Sequence, residues 1–165
     1  MAMPGRTWLD ELYRQYRRPL FLTAWNVLRC SSLAEDAVHS AFARLAELRT
    51  APRGPKLYVF RAVRNAAIDL CRSRSRRREE PIGEERISES FGPIPDDGEL
   101  LSSVSVALNQ LDEASREVVE LHLHSGLTFR EIATVLEEPL QTVASRYRRA
   151  LEKLRQLLEV CGERS

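Results

Sequence analysis

Apolar residues recur at intervals of three and four along most of the chain, the spacing of helices that each bury one face, and runs of strict alternation are scarce. Leu9, Leu12, Tyr13, Tyr16, Leu20, Ala24 and Val27 form a first stripe. The tetrad Ser32-Leu33-Ala34-Glu35 reads as a capping box, with Ser32 accepting from a first-turn N–H and Glu35 reaching back to the cap. A second helix is therefore predicted from Ser32 to about Leu48, carrying Leu33, Ala37, Val38, Ala41, Phe42 and Leu45 inward. Pro52, Gly54 and Pro55 then break the pattern, since none of them propagates a helix. A third helix is predicted from about Lys56, burying Leu57, Phe60, Val63, Ala67, Leu70 and Cys71 before it enters the arginine-rich stretch 72–78.

The periodicity stops at Glu79. Residues 79–99 hold three Pro, three Gly and eight acids with few large apolar side chains, so burial cannot offset the entropy of ordering them. It resumes with Leu101, Val104, Leu108 and Leu111, then Val118, Val119, Leu121 and Leu123. Thr128-Phe129-Arg130-Glu131 is a second capping box, opening a short helix with Ile132, Ala133, Val135 and Leu136 inside. Pro139 suits the first turn of a further helix, whose buried face is read as Val143, Tyr147, Ala150, Leu151, Leu154 and Leu158. The pattern predicts an all-α chain of two small helical domains, 7–78 and 101–160, joined by a flexible acidic linker over 79–100.

Charge sharpens that division. The net charge of the 165 residues is only +1. Residues 1–78, however, hold 16 basic against 6 acidic side chains, 79–115 hold 1 against 10, and 116–165 balance at 8 against 8. Segregation on this scale suits a polyanion-binding first part followed by an acidic connector. The longest apolar run, Leu57 to Phe60, is far below the roughly 20 residues that cross a bilayer. With no signal-like stretch after Met1 either, a cytoplasmic protein without membrane association is expected. Cys30, Cys71 and Cys161 lie too far apart for a metal-ligand spacing and are read as reduced, mostly buried thiols. His122 and His124 stand two apart on a helix and diverge, so no metal site is expected. Neither a phosphate loop nor a nucleophile elbow is present, and no cofactor or enzyme activity is expected.

A short helix, a turn of about three residues and a longer helix make a helix-turn-helix, whose second helix can enter the DNA major groove. Gln141, Thr142, Ser145, Arg146, Arg148 and Arg149 occupy its opening turns, while Val143 and Tyr147 point back at the first helix. Arginine suits that task because its fork can meet guanine in a bidentate geometry. An ordinary helical hairpin with a solvated arginine face is the competing interpretation.

The residues of this half, from Ala107-Leu108-Asn109-Gln110-Leu111 through Gly126-Leu127-Thr128-Phe129-Arg130-Glu131-Ile132-Ala133 to Thr142-Val143-Ala144-Ser145-Arg146, resemble region 4 of bacterial RNA polymerase sigma factors, most of all the extracytoplasmic-function (ECF) subfamily. In the first half, Ala34-Glu35-Asp36-Ala37-Val38 and Phe60-Arg61-Ala62-Val63-Arg64-Asn65-Ala66-Ala67-Ile68-Asp69 resemble region 2 of the same subfamily. The resemblance implies a promoter-specificity subunit that binds core RNA polymerase and promoter DNA and is held inactive by an anti-sigma factor. It places polymerase docking on Glu35, Asp36, His39, Ser40 and Phe42. The melted minus-ten strand falls to Tyr58, Arg61, Arg64, Asn65, Asp69 and Arg72, and the minus-thirty-five duplex to the six residues of the helix-turn-helix. A ring beside arginines is what single-stranded DNA requires, bases stacking on the one and phosphates pairing with the other. Core packing is the alternative for Tyr58, and a solvated helix end for the arginine run 72–78. The chain departs from the family at His39-Ser40, where Gln followed by an acid is usual, and at Glu137-Glu138, where Gly-Val is usual. Two other functions stay open: a sigma-derived DNA-binding regulator that acts without core polymerase, and a pure protein-interaction module.

Overall fold

In the computed structural model, which describes residues 7–78, 104 and 106–162, the three apolar stripes of the first half become three helices, α1 (Thr7–Leu28), α2 (Ser31–Leu45) and α3 (Pro55–Arg78). Each packs on the other two. Leu20, Val59, Phe60, Val63 and Ala67 lose all or nearly all contact with water. Burial on that scale stabilises by roughly 1.5–3 kcal/mol for each large side chain. Pro19 stands inside α1, where its missing N–H removes the donor for the Gln15 carbonyl. The helix is carried across that defect by the buried run Leu20, Leu22, Thr23, Ala24 and Trp25, and the Thr23 hydroxyl donates to the Pro19 carbonyl at 2.9 Å.

Between α1 and α2 the chain turns on Arg29, a non-glycine residue at φ +54°, whose guanidinium stacks 4.5 Å from the centre of the Trp25 ring. The N-cap of the helix after this turn lies two residues earlier than the capping box at Ser32 predicts. Cys30 takes the extended N-cap conformation (φ −139°, ψ 123°) without a side-chain capping bond, and Ser32 lies inside the first turn with its hydroxyl 3.3 Å from the Cys30 sulfur. This contact, first among its causes, holds the Cys30 thiol below its ordinary pKa. α2 also ends at Leu45, short of Leu48, which is exposed. Gly54 at φ +62° then starts α3, its carbonyl accepting from the Tyr58 N–H at 3.1 Å. The expected burial of cysteine fails on α3 and is incomplete before α2. Cys71 is exposed and Cys30 half-buried; at 100° per residue Cys71 falls about 80° from Val63, in the middle of the buried face of α3. The linker expected over 79–100 lies outside the described residues.

The second compact unit, Pro93–Ser165, is built from a helical segment at 106–109 and three helices, α4 (Glu113–Leu123), α5 (Phe129–Leu136) and α6 (Leu140–Gly162). Its core gathers Ala107, Leu108, Leu111, Val119, Ala150 and Leu154, with Tyr147 and Leu157 packed against them. Asp112 caps α4, accepting from the Ser115 N–H at 2.9 Å. The capping box on α5 forms as predicted: the Glu131 N–H donates to the Thr128 hydroxyl (3.2 Å) and the Thr128 N–H to the Glu131 carboxylate (2.8 Å). Pro139 is not in the first turn of α6 but just before it, its carbonyl accepting from the N–H groups of Thr142 (3.0 Å) and Val143 (3.2 Å). Two expected core positions of α6 are solvent-facing. Leu151 and Leu158 are exposed, and Leu157 takes the inward place, since at 100° per residue it falls about 20° from buried Ala150 whereas Leu158 falls about 80° away. All regular elements among the described residues are helical.

Candidate nucleic-acid interface

On α3, residues 58, 61, 65, 69 and 72 are spaced so that one helical face holds them all. Tyr58 is exposed at 44%, which removes core packing as its role. Asn65, Asp69 and Arg72 are exposed as well, and Arg61 is half-buried. Arg64, the sixth candidate, lies about 100° round the helix from that face and is half-buried. Tyr58, Arg61 and Asn65 open onto a groove of about 360 Å³ whose opposite wall is Ala41, Arg44 and Leu48. Arg44 and Leu48 are therefore lining residues that the sequence pattern missed, because apolar periodicity marks which side chains a helix buries and not which exposed ones face a neighbouring helix across a groove. A shallow groove with one ring, two guanidinium groups and a carboxamide can take a planar base on the ring and a phosphate on the cations. Beyond it, α3 continues as helix through the arginine run to Arg78, with Arg72, Arg76 and Arg77 exposed.

α2 turns Glu35, Asp36, His39 and Ser40 to solvent. Phe42, the fifth docking candidate, is half-buried and packs edge-on against Tyr13 at 5.1 Å between ring centres. It fixes α2 to α1 and leaves only part of its ring available to a partner.

In the second unit α5, the three-residue turn 137–139 and α6 form a helix-turn-helix. The turn is set by Glu137, in the left-handed region at φ +56°, and by the Glu138 N–H, which donates to the Ala133 carbonyl at 3.0 Å. Val143 is fully buried and Ala150 nearly so, which directs the opposite face outward. Gln141, Arg148 and Arg149 are exposed there, and Ser145 is half-buried between them. The Arg149 Nε donates to the Ser145 carbonyl at 3.4 Å, laying its stem along the helix. Thr142 and Arg146 occupy the flank between that face and the core. Arg146 is already engaged: its Nη1 lies 2.6 Å from the Glu138 carboxylate. The Asp112 carboxyl is held below its ordinary pKa by the Ser115 hydroxyl first and its N–H next, with the charge of Arg146 a smaller contribution.

His122 has a structural task that its sequence neighbours do not reveal. The Nδ1–H donates to the Leu127 carbonyl at 2.7 Å, which fixes the tautomer, and the ring sits 4.8 Å from Phe129 and 5.0 Å from Tyr147. One side chain thus ties α4, the loop before α5 and α6 together. His124 is exposed and outside this contact, and among the described residues no three potential ligands gather in a metal-binding group. No helix among them is long and apolar enough to cross a membrane.

Comparison with known proteins matches residues 12–77 to sigma-70 region 2 and residues 107–156 to sigma-70 region 4. The chain is 31% identical over 164 residues to the ECF RNA polymerase sigma factor SigE of Mycolicibacterium smegmatis, covering 95% of this chain but 63% of that protein. It is 24% identical over 159 residues to the ECF RNA polymerase sigma factor SigK of Mycobacterium tuberculosis, covering 91% of this chain and 85% of that one. Two solved structures share the fold. The sigma factor RpoE of Bartonella quintana, crystallised with the anti-sigma factor NepR, superposes with a TM-score of 0.68 at 22% identity, over 92% of this chain and 97% of that one. CnrH, solved in complex with the cytosolic domain of CnrY, gives a TM-score of 0.63 at 25% identity, over 95% and 91%.

Proposed function

The chain belongs to the sigma-70 family, in its extracytoplasmic-function branch, and from that premise we propose that it directs core RNA polymerase to specific promoters and helps to open them. In this reading α6 reads a duplex element through Arg149 and Ser145, with Gln141, Thr142, Arg146 and Arg148 at or near the phosphates. The groove of Tyr58, Arg61 and Asn65, extended by Asp69, Arg72 and the arginine run and flanked by Arg64, holds the melted strand. The observation that carries the proposal is the presence of both sigma regions, in order, each with an exposed cationic face of the chemistry its DNA form needs: a ring and guanidinium groups for single strands, a helix-turn-helix for the duplex. Glu35, Asp36, His39 and Ser40 on α2, with the accessible edge of Phe42, are the surface for the polymerase. An anti-sigma factor that competes for this surface is the expected regulator, as RpoE is seen in complex with the anti-sigma factor NepR and CnrH with the cytosolic domain of CnrY.

His39 and Ser40 favour a second reading, in which the sigma architecture serves a DNA-binding regulator without core polymerase, because the two side chains are exposed on the docking face and lack the usual acid. Affinity capture separates the two. Purified core polymerase retained by the tagged chain in stoichiometric amount supports the sigma factor; duplex DNA retained without polymerase supports the regulator.

A further inference from the structure

The turn of the helix-turn-helix carries an acid where the family usually has Val, and that acid is paired with a cation of the recognition helix. Glu138 is held by its backbone, through the bond to the Ala133 carbonyl at 3.0 Å and the left-handed Glu137 before it, so its side chain leaves the turn from a defined position. Arg146 leaves α6 on the flank that faces the turn, and its guanidinium meets the Glu138 carboxylate at 2.6 Å. Both side chains are largely covered, with 23% and 32% of their surface exposed, whereas the Arg155–Glu159 pair further along α6 is open to solvent at 80% and 63%. A covered pair is less screened by salt than an open one. Arg146 thus has its counter-ion built in, while Arg148 and Arg149 stand out in solvent.

We propose that Glu138 determines selectivity by acting through Arg146: its carboxylate competes with DNA phosphate for the guanidinium, so that ordinary duplex is met with one effective cation fewer. This rests on the reading of α6 as the duplex-binding helix. A phosphate contact adds about 0.9 to the slope of log affinity against log salt, because it releases condensed counter-ions. An arginine already neutralised by a carboxylate adds nothing to that slope. Glu138 therefore suppresses attraction to DNA in general and leaves discrimination to the outward residues of α6. It is a positioning residue, acting on Arg146 and touching no base.

The test uses the full chain and a fluorescent duplex of about 30 base pairs with random sequence, titrated at several salt concentrations. Wild type, Glu138→Gln, Arg146→Gln and the double variant are compared, with circular dichroism to verify that all four are equally helical. Glu138→Ala repeats the test with no side-chain hydrogen bond left to Arg146. The expected result is that Glu138→Gln and Glu138→Ala steepen the slope by about 0.9, so that affinity falls about threefold more between roughly 50 and 200 mM salt than for wild type. Arg146→Gln alone should leave the slope almost unmoved, and in its presence Glu138→Gln should add nothing. A wild-type slope in both Glu138 variants overturns the proposal. So does a gain that persists in the Arg146→Gln background, which would make it an effect of overall charge. If no variant and no wild-type protein binds the duplex at low salt, the duplex-binding role of α6 falls together with the proposal, an outcome distinct from a normal wild type with silent Glu138 variants.

Discussion

Arg148 and Arg149 carry the same charge at adjacent, exposed positions of α6, yet they leave the helix about 100° apart. If Arg149 reads a base edge, Arg149→Ala should cost roughly 1–3 kcal/mol at the preferred site and flatten discrimination at one or two base positions. Arg148→Ala, as the loss of a phosphate contact, should weaken all sequences about equally and lower the salt slope by about one unit. Titration of single-base variants of the site at several salt concentrations checks both, and indistinguishable profiles would move the reading face elsewhere. Glu137 makes a different kind of claim. At φ +56° its Cβ is crowded against the backbone in a way that glycine avoids. Glu137→Gly should stabilise the second unit by about 0.5–1 kcal/mol in urea unfolding. Tyr58, Arg61 and Asn65 were placed by the resemblance to region 2 and Arg148 and Arg149 by the helix-turn-helix pattern, and all five reach solvent at least in part. The engagement of Arg146 by Glu138 was not legible in the sequence, because a pair eight positions apart across a turn has no helical spacing to announce it.

Helix α5 shows when a sequence pattern decides an element and when it does not. Thr128-Phe129-Arg130-Glu131 follows a left-handed glycine, Gly126, and Thr128 is delivered in the extended conformation that a cap requires. Ser31-Ser32-Leu33-Ala34-Glu35 offers more than one register. The left-handed turn at Arg29 places Cys30 in the extended conformation, and the helix starts before Ser32 can cap it. Local chemistry was legible in both places, but only tertiary geometry chose between registers in the second. His122 illustrates the converse, a residue whose role is invisible in sequence because its partners, Leu127, Phe129 and Tyr147, come from two elements and a loop. His122→Ala should destabilise the helix-turn-helix unit by roughly 1–3 kcal/mol, from the lost ring contacts and a partly buried carbonyl left without its donor. Urea unfolding followed by circular dichroism measures this. A loss below about 0.5 kcal/mol would show that Phe129 and Tyr147 hold the unit without it.

At the scale of the whole molecule, residues 79–99 interrupt both charge and periodicity, and the chain divides into two compact units, Met1–Gly92 and Pro93–Ser165. The division of labour proposed for the two units has its own signature. Arg61→Ala with Asn65→Ala should leave duplex binding by α6 almost unchanged and depress promoter opening, because these side chains meet the strand only after it melts. Permanganate footprinting reads this directly as reduced thymine reactivity in the opened region, and undiminished reactivity would remove the groove from the strand-binding path. The central claim, that the chain confers promoter specificity on RNA polymerase, is tested most directly by transcription in vitro with purified core polymerase and a fragment library of the source genome, followed by mapping of transcript starts. A discrete set of starts is expected that appears only when the protein is added, preceded by two shared sequence elements about two helical turns apart. A start profile identical with and without the protein, at concentrations that saturate core polymerase, would contradict it.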